Sequence, residues 1–113
     1  MPVEKLSFVL PVDDLGAAVD FWKALLGVDA TFVDGDRWAQ FDHAGTRLSL
    51  AGKDRAADSP GVMVKVSGLE AVRDALRASG TAVSEITTGA HERRSVATAP
   101  GGSAVVLYEP LPT

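Results

Sequence analysis

Few residues in this sequence have the types needed for chemistry, and their spacing removes most of what they could do. The 113 residues hold no cysteine and two histidines, His43 and His91, which excludes disulfides, thiolate nucleophiles and cysteine metal sites. His91-Glu92-Arg93-Arg94 is not HExxH, because no second histidine follows, and Asp42-His43 turns its two side chains to opposite faces of a strand. An exposed turn or strand end is the better reading for each histidine. No G-x-S-x-G elbow is present to activate a serine, and Gly101-Gly102 lacks the helix that a phosphate loop requires. The paired carboxylates Asp13-Asp14 and Asp34/Asp36 fall where helix caps and turns want them. What is left is aromatic and soft apolar side chains, whose chemistry is stacking and burial.

The elements that must position them begin at Leu6 to Gly27. Leu6, Phe8 and Leu10 alternate with Ser7, Val9 and Pro11 as in a half-buried strand. Asp13 and Asp14 stop it, and either carboxylate can accept from the first N–H groups of a helix. Leu15, Ala18, Val19, Trp22, Leu25 and Leu26 then recur at three- and four-residue steps, giving one apolar stripe, and Gly27 supplies a left-handed C-cap. Short strands follow at Asp29 to Val33 and Arg37 to Asp42, around an Asp-Gly hairpin signal, and at Arg47 to Ala51 after the turn Ala44-Gly45-Thr46. Gly52 to Pro60 is polar and without period, which marks a linker.

The pattern then repeats. Val62, Val64 and Val66 alternate with Met63 and Lys65, and Ser67-Gly68-Leu69-Glu70 reads as a capping box. Leu69, Val72, Ala75 and Leu76 form the stripe of a second helix ended by Gly80. Strands are expected at Thr81 to Ile86, Arg93 to Thr98 and Ser103 to Glu109. Leu15 and Leu69 lie 54 positions apart, and Val12 and Val66 share that offset. Two copies of one βαβββ unit is the economical reading: a single α+β domain over 1–113, with module one at 4–51, linker 52–60 and module two at 61–110.

Composition narrows the partners. A chain that is 46% hydrophobic and 23% charged is that of a globular domain, and its net charge of −4 with a pI near 5.0 argues against a nucleic-acid surface, since Arg93-Arg94 is the one basic pair. The first strand alternates rather than forming an apolar signal segment, and no apolar run reaches membrane-spanning length, so a cytoplasmic location is expected and a membrane partner is not.

VxDLxxAxxFWxxLLG, from Val12 to Gly27, resembles the N-terminal signature of the vicinal oxygen chelate superfamily, which includes glyoxalase I, extradiol dioxygenases, and fosfomycin and bleomycin resistance proteins. Ala99 to Ser103, APGGS, is similar to the DPxGN turn before that family's last strand. The run Phe21 to Phe41 looks most like the bleomycin-binding members. The resemblance implies cupped mixed β-sheets with the helices outside, the glyoxalase/bleomycin resistance fold, assembled as a homodimer.

It also implies a metal test. In metal-dependent members four strand positions carry His, Gln or Glu; here they fall on Ser7, Ser49, Gly61 and Val106. A neutral hydroxyl is a weak ligand, and glycine and valine have no side-chain donor. A one-residue shift meets only apolar neighbours on the wrong face. No metal, no other cofactor and no catalytic residue is therefore expected.

On the cavity face that the resemblance implies, alternation places Trp38 and Gln40 opposite Ala39 and Phe41, Met63 opposite Val62 and Val64, and Val106 and Tyr108 opposite Val105 and Leu107. With Phe32 and Ser49 they make a lining suited to a flat, partly apolar ligand. The pattern equally allows Trp38 and Tyr108 to fill core or a dimer interface. In bleomycin-binding proteins, aromatic residues matching Phe32 and Trp38 line a groove between subunits, but a further tryptophan corresponds to Glu92 here, which speaks against bleomycin itself. Arg94 is retained, either to meet a carboxylate or ring of the ligand or as a solvated strand residue. The expected function is metal-independent binding, in the manner of sequestration, of an aromatic or amphipathic small molecule such as an antibiotic or natural product. The alternatives are a metal-free or atypically liganded lyase or isomerase, and a degenerate member with no ligand; whether the chain is an enzyme stays open, with binding preferred.

Overall fold

The computed structural model describes residues 3–112. The fold is α+β and contains the βαβββ pattern twice. In the first module β1 (Val3–Pro11) leads to α1 (Leu15–Leu26), followed by β2 (Phe32–Asp34), β3 (Trp38–His43) and β4 (Thr46–Ala51). The second has β5 (Gly61–Val66), α2 (Leu69–Ala78), β6 (Thr87–Thr88), β7 (Glu92–Thr98) and β8 (Ala104–Pro110). Two compact units result: Ser7–Pro60 is one, and residues 3–6 join the chain from Gly61 onward in the other.

Within Ser7–Pro60 the strand order is β2-β3-β4-β1, with β1 parallel to β4 and the remaining pairs antiparallel. Asp14 caps α1, its Oδ1 accepting from Ala17 N at 3.0 Å, and Gly27 closes the helix at φ 73°. Of the two candidate caps the structure uses Asp14. The helix packs through Leu15, Ala18, Val19, Trp22 and Leu26 onto Leu10, Ala39, Phe41, Leu48 and Leu50. Leu25, expected in that stripe, is instead 63% exposed. At about 100° per residue it lies ~80° from Leu15, on the shoulder of the stripe rather than its centre.

The two hairpins differ in their turns. β2 is shorter than the expected Asp29 to Val33 strand, and its loop closes with Arg37 N donating to Asp34 O at 2.9 Å. His43 pairs directly with Thr46, leaving Ala44 and Gly45 as the turn, both at positive φ (51° and 80°), the requirement of a type I′ hairpin. The polar stretch beginning at Gly52 is tied to its unit: Arg55 Nη2 donates to Val12 O at 2.5 Å and its Nε to Gly52 O at 2.9 Å, while Lys53 pairs with Asp36 at 2.8 Å.

In the other unit the order β5-β8-β7-β6 repeats the arrangement, with β5 parallel to β8. Leu69, Val72 and Leu76 of α2 pack on Val64, Val66, Ala97, Val105 and Leu107. The first residues of the two helices, Leu15 and Leu69, are both buried, 4% and 0% exposed, so the 54-residue offset carries through to packing. The capping box does not form. Gly68 occupies the N-cap position without a side chain, Glu70 turns to Arg93, and Glu109 of β8 supplies the cap by accepting from Gly68 N at 2.7 Å. At the other end Gly80 N donates to Arg77 O and Thr81 N to Leu76 O, both at 3.0 Å, a Schellman closure. The expected strand at Thr81 to Ile86 is also corrected. That segment touches β7 through a single bridge, Val83 to Ala97, and the paired residues are Thr87 and Thr88. Ser84 is the reason: its side chain accepts from Val96 N at 2.8 Å, so a side chain replaces a ladder carbonyl.

Candidate functional site

In each unit the strands have one face covered by the helix and one that the helix leaves free, and strand register assigns every candidate residue to a face. In Ser7–Pro60, Phe32 pairs with Gln40, Gln40 with Ser49 and Ser49 with Val9, so one row crosses all four strands. Trp38, between Asp34 and Ala51, lies in the next row. Because Ala39, Phe41, Leu48 and Leu50 pack on α1, alternation puts Phe32, Trp38, Gln40 and Ser49 on the free face. Ser7 shares it, two residues before Val9.

The polar groups of this face are ordered. Trp38 Nε1 donates to Gln40 Oε1 at 3.1 Å. Asp42, on the same face, accepts from Arg47 Nε at 2.8 Å, Arg47 Nη2 at 3.3 Å and Thr31 Oγ1 at 2.6 Å. Ser7 and Ser49 are each 1% exposed, whereas Phe32 is 45% exposed. The Asp42–Arg47 pair was not among the candidates, although hairpin pairing across the Ala44-Gly45 turn makes it readable from the spacing.

In the other unit Met63 pairs with Val106 and Val106 with Val96, while Lys65, Tyr108, Arg94 and Thr87 form the adjacent row. All lie opposite the face that packs on α2, so Met63, Arg94, Val106 and Tyr108 share a free face in their turn. Met63 and Val106 are buried. Glu92 precedes Arg94 by two residues on the same face, and Lys65 reaches Glu4 at 3.8 Å. Lys65 is an addition, legible from its period-two relation to Met63. Arg93 belongs to the opposite face, where it joins Glu70 and Glu109, so the basic pair is divided between two environments.

The positions that the resemblance implies for a metal are Ser7, Ser49, Gly61 and Val106. Ser7 and Ser49 offer neutral hydroxyls. Val106 offers none, and Gly61 is sterically fixed, since a Cβ there would fall on the carbonyl oxygen of Ala104 in the paired strand. These four residues do not fit a divalent ion. His43 and His91 are exposed. Among the described residues no group of three or more His, Asp or Glu side chains is placed to hold a metal, and no helix is long and apolar enough to cross a membrane.

The architecture has parallels among solved structures. One of an NAD-dependent benzaldehyde dehydrogenase from Legionella pneumophila superposes with a TM-score of 0.85 at 14% identity, over 95% of this chain and 100% of that one. A glyoxalase/bleomycin resistance protein/dioxygenase superfamily member from Vibrio splendidus 12B01 gives 0.70 at 12% identity, over 93% and 97%. Methylmalonyl-CoA epimerase from Mycobacterium tuberculosis gives 0.61 at 20% identity, over 98% and 89%. At these identities the likeness is one of fold alone. A search of the curated proteins finds no match. The family model described as Glyoxalase/Bleomycin resistance protein/Dioxygenase superfamily matches residues 6–107, nearly the whole chain, and the protein belongs to that superfamily.

Proposed function

We propose that this chain binds a small aromatic or amphipathic molecule without a metal ion, sequestering it as an antibiotic or natural product would be sequestered, and that it does so as a homodimer. The observation that carries the reading is the face of the first module's strands that α1 leaves free. Phe32 and Trp38 offer ring surface there, Gln40 offers an amide, and the position of the family's metal ligand is a serine. Stacking and burial supply affinity on such a face, and a few polar groups supply orientation. In the second module Tyr108 and Arg94 stand on the corresponding face, over the buried Met63 and Val106. Dimerisation is supported by the edge strand β2, whose Phe32 and Val33 are 45% and 51% exposed; an apolar sheet edge of this kind is ordinarily covered.

Three measurements test the reading. Native mass spectrometry of purified protein should return a dimer; a monomer removes the shared-groove arrangement. Metal analysis should find no stoichiometric ion, and binding should survive a chelator. Titration of aromatic natural products should identify a ligand whose affinity falls by about tenfold or more in Trp38→Ala, as loss of a stacking partner and its burial predicts; an unchanged affinity takes Trp38 out of the site.

A further inference from the structure

The Trp38–Gln40 contact fixes more than a side-chain position. An indole N–H can only donate, so the end of the Gln40 amide that meets it must be Oε1. That leaves Nε2, with its two N–H donors, turned the other way, and no group among the described residues accepts from it. Its neighbour on β4, Ser49, is 1% exposed, so the half-buried Gln40 amide supplies the donor of this row that a ligand can reach. A carbonyl oxygen accepts and does not donate, which suits it to that N–H pair.

The carboxylates of this face are already matched. Asp42 is held by Arg47 and Thr31, and Asp34, in the Trp38 row, lies 3.7 Å from Arg37. A cationic group on the ligand would have to break one of these pairs to be matched. An uncharged carbonyl would find donors already oriented, beside the rings of Phe32 and Trp38.

We infer that Gln40 is the specificity-determining residue of the first module's free face, oriented by Trp38, and that it selects aromatic molecules bearing a ketone or aldehyde oxygen. This rests on the aromatic-binding reading above and narrows it to one ligand class. Trp38 acts twice, as a ring and as the group that aims the amide.

A matched pair of probes separates the two claims: 2-acetylnaphthalene, and 2-ethylnaphthalene, which has the same shape without the oxygen. Equilibrium dialysis gives the ratio of their affinities. In the unaltered protein 2-acetylnaphthalene should bind about tenfold more tightly, the value of one well-placed hydrogen bond. In Gln40→Leu the ratio should fall to about one, and in Trp38→Phe, which keeps a ring and loses the N–H, it should take an intermediate value. Circular dichroism verifies that each variant is folded. Equal binding of the two probes by the unaltered protein overturns the inference and leaves aromatic binding standing, as does a ratio that persists in Gln40→Leu. If neither naphthalene binds, aromatic binding itself falls and the inference falls with it.

Discussion

Arg93 on β7 holds Glu70 on α2 through two hydrogen bonds, Nη1 to Oε2 at 2.7 Å and Nη2 to Oε1 at 2.5 Å. The same Nη2 reaches Glu109 Oε1 at 3.1 Å, and Glu109 caps α2 through Gly68 N. Helix, two strands and helix N-terminus are thus joined by one guanidinium and two carboxylates.

This network predicts an acid response. The hydrogen bond from Arg93 draws the Glu70 carboxyl from an ordinary 4.5 to about 2. Glu109 is also held below the usual range, chiefly by the Gly68 N–H. Both shifts are downward on folding, so their stabilisation is full above about pH 4.5 and is lost as the pH falls towards 2. Urea midpoints measured across that window should fall less steeply in Glu70→Gln than in the unaltered protein. Equal slopes would remove Glu70 from the acid response.

Ala44 predicts a stabilising substitution. It holds φ 51° in a two-residue turn, a conformation that costs an L-residue with a Cβ roughly 1 kcal/mol and glycine or asparagine less. Ala44→Gly or Ala44→Asn should raise the urea midpoint by the equivalent of about 0.5–1 kcal/mol with an unchanged m-value.

Gly61 predicts the opposite. A Cβ there would fall on Ala104 O, and backbone cannot yield as a flexible side chain can. Gly61→Ala should cost roughly 1–3 kcal/mol. Gly61→His, the change that would restore a family-type ligand, should lower stability further and gain no zinc in calorimetric titration. Tight binding of zinc by that variant would show that the strand pair can open.

Helix α1 supplies an internal comparison. Leu15 is 4% exposed and Leu25 is 63% exposed on the same helix. Leu15→Ala should cost about 2–5 kcal/mol and Leu25→Ala within about 0.5 kcal/mol, read as shifts in the denaturation midpoint.

The sequence by itself determined what depends on period and on local backbone chemistry. The period-two strands, the stripe from Leu15 to Leu26, the Asp14 cap and the 54-residue repeat were all legible, because each is encoded within a few residues of itself. That Ser7, Ser49, Gly61 and Val106 carry no strong ligating side chain was likewise legible, once the family resemblance had pointed to those positions. Tertiary structure decided whatever required a partner from a distant strand. Glu70 looked like a capping residue until Arg93, 23 positions away, took its carboxylate, and Glu109 capped a helix 40 positions earlier in the chain. Thr81 to Ile86 had the pattern of a strand, but the Ser84 side chain occupied Val96 N. Gly61 read as a residue without a donor; only the paired strand, with Ala104 O where a Cβ would stand, showed why no donor fits there. The orientation of the Gln40 amide likewise follows from alternation only as far as its face; which end meets Trp38 is set by an indole that can donate but not accept.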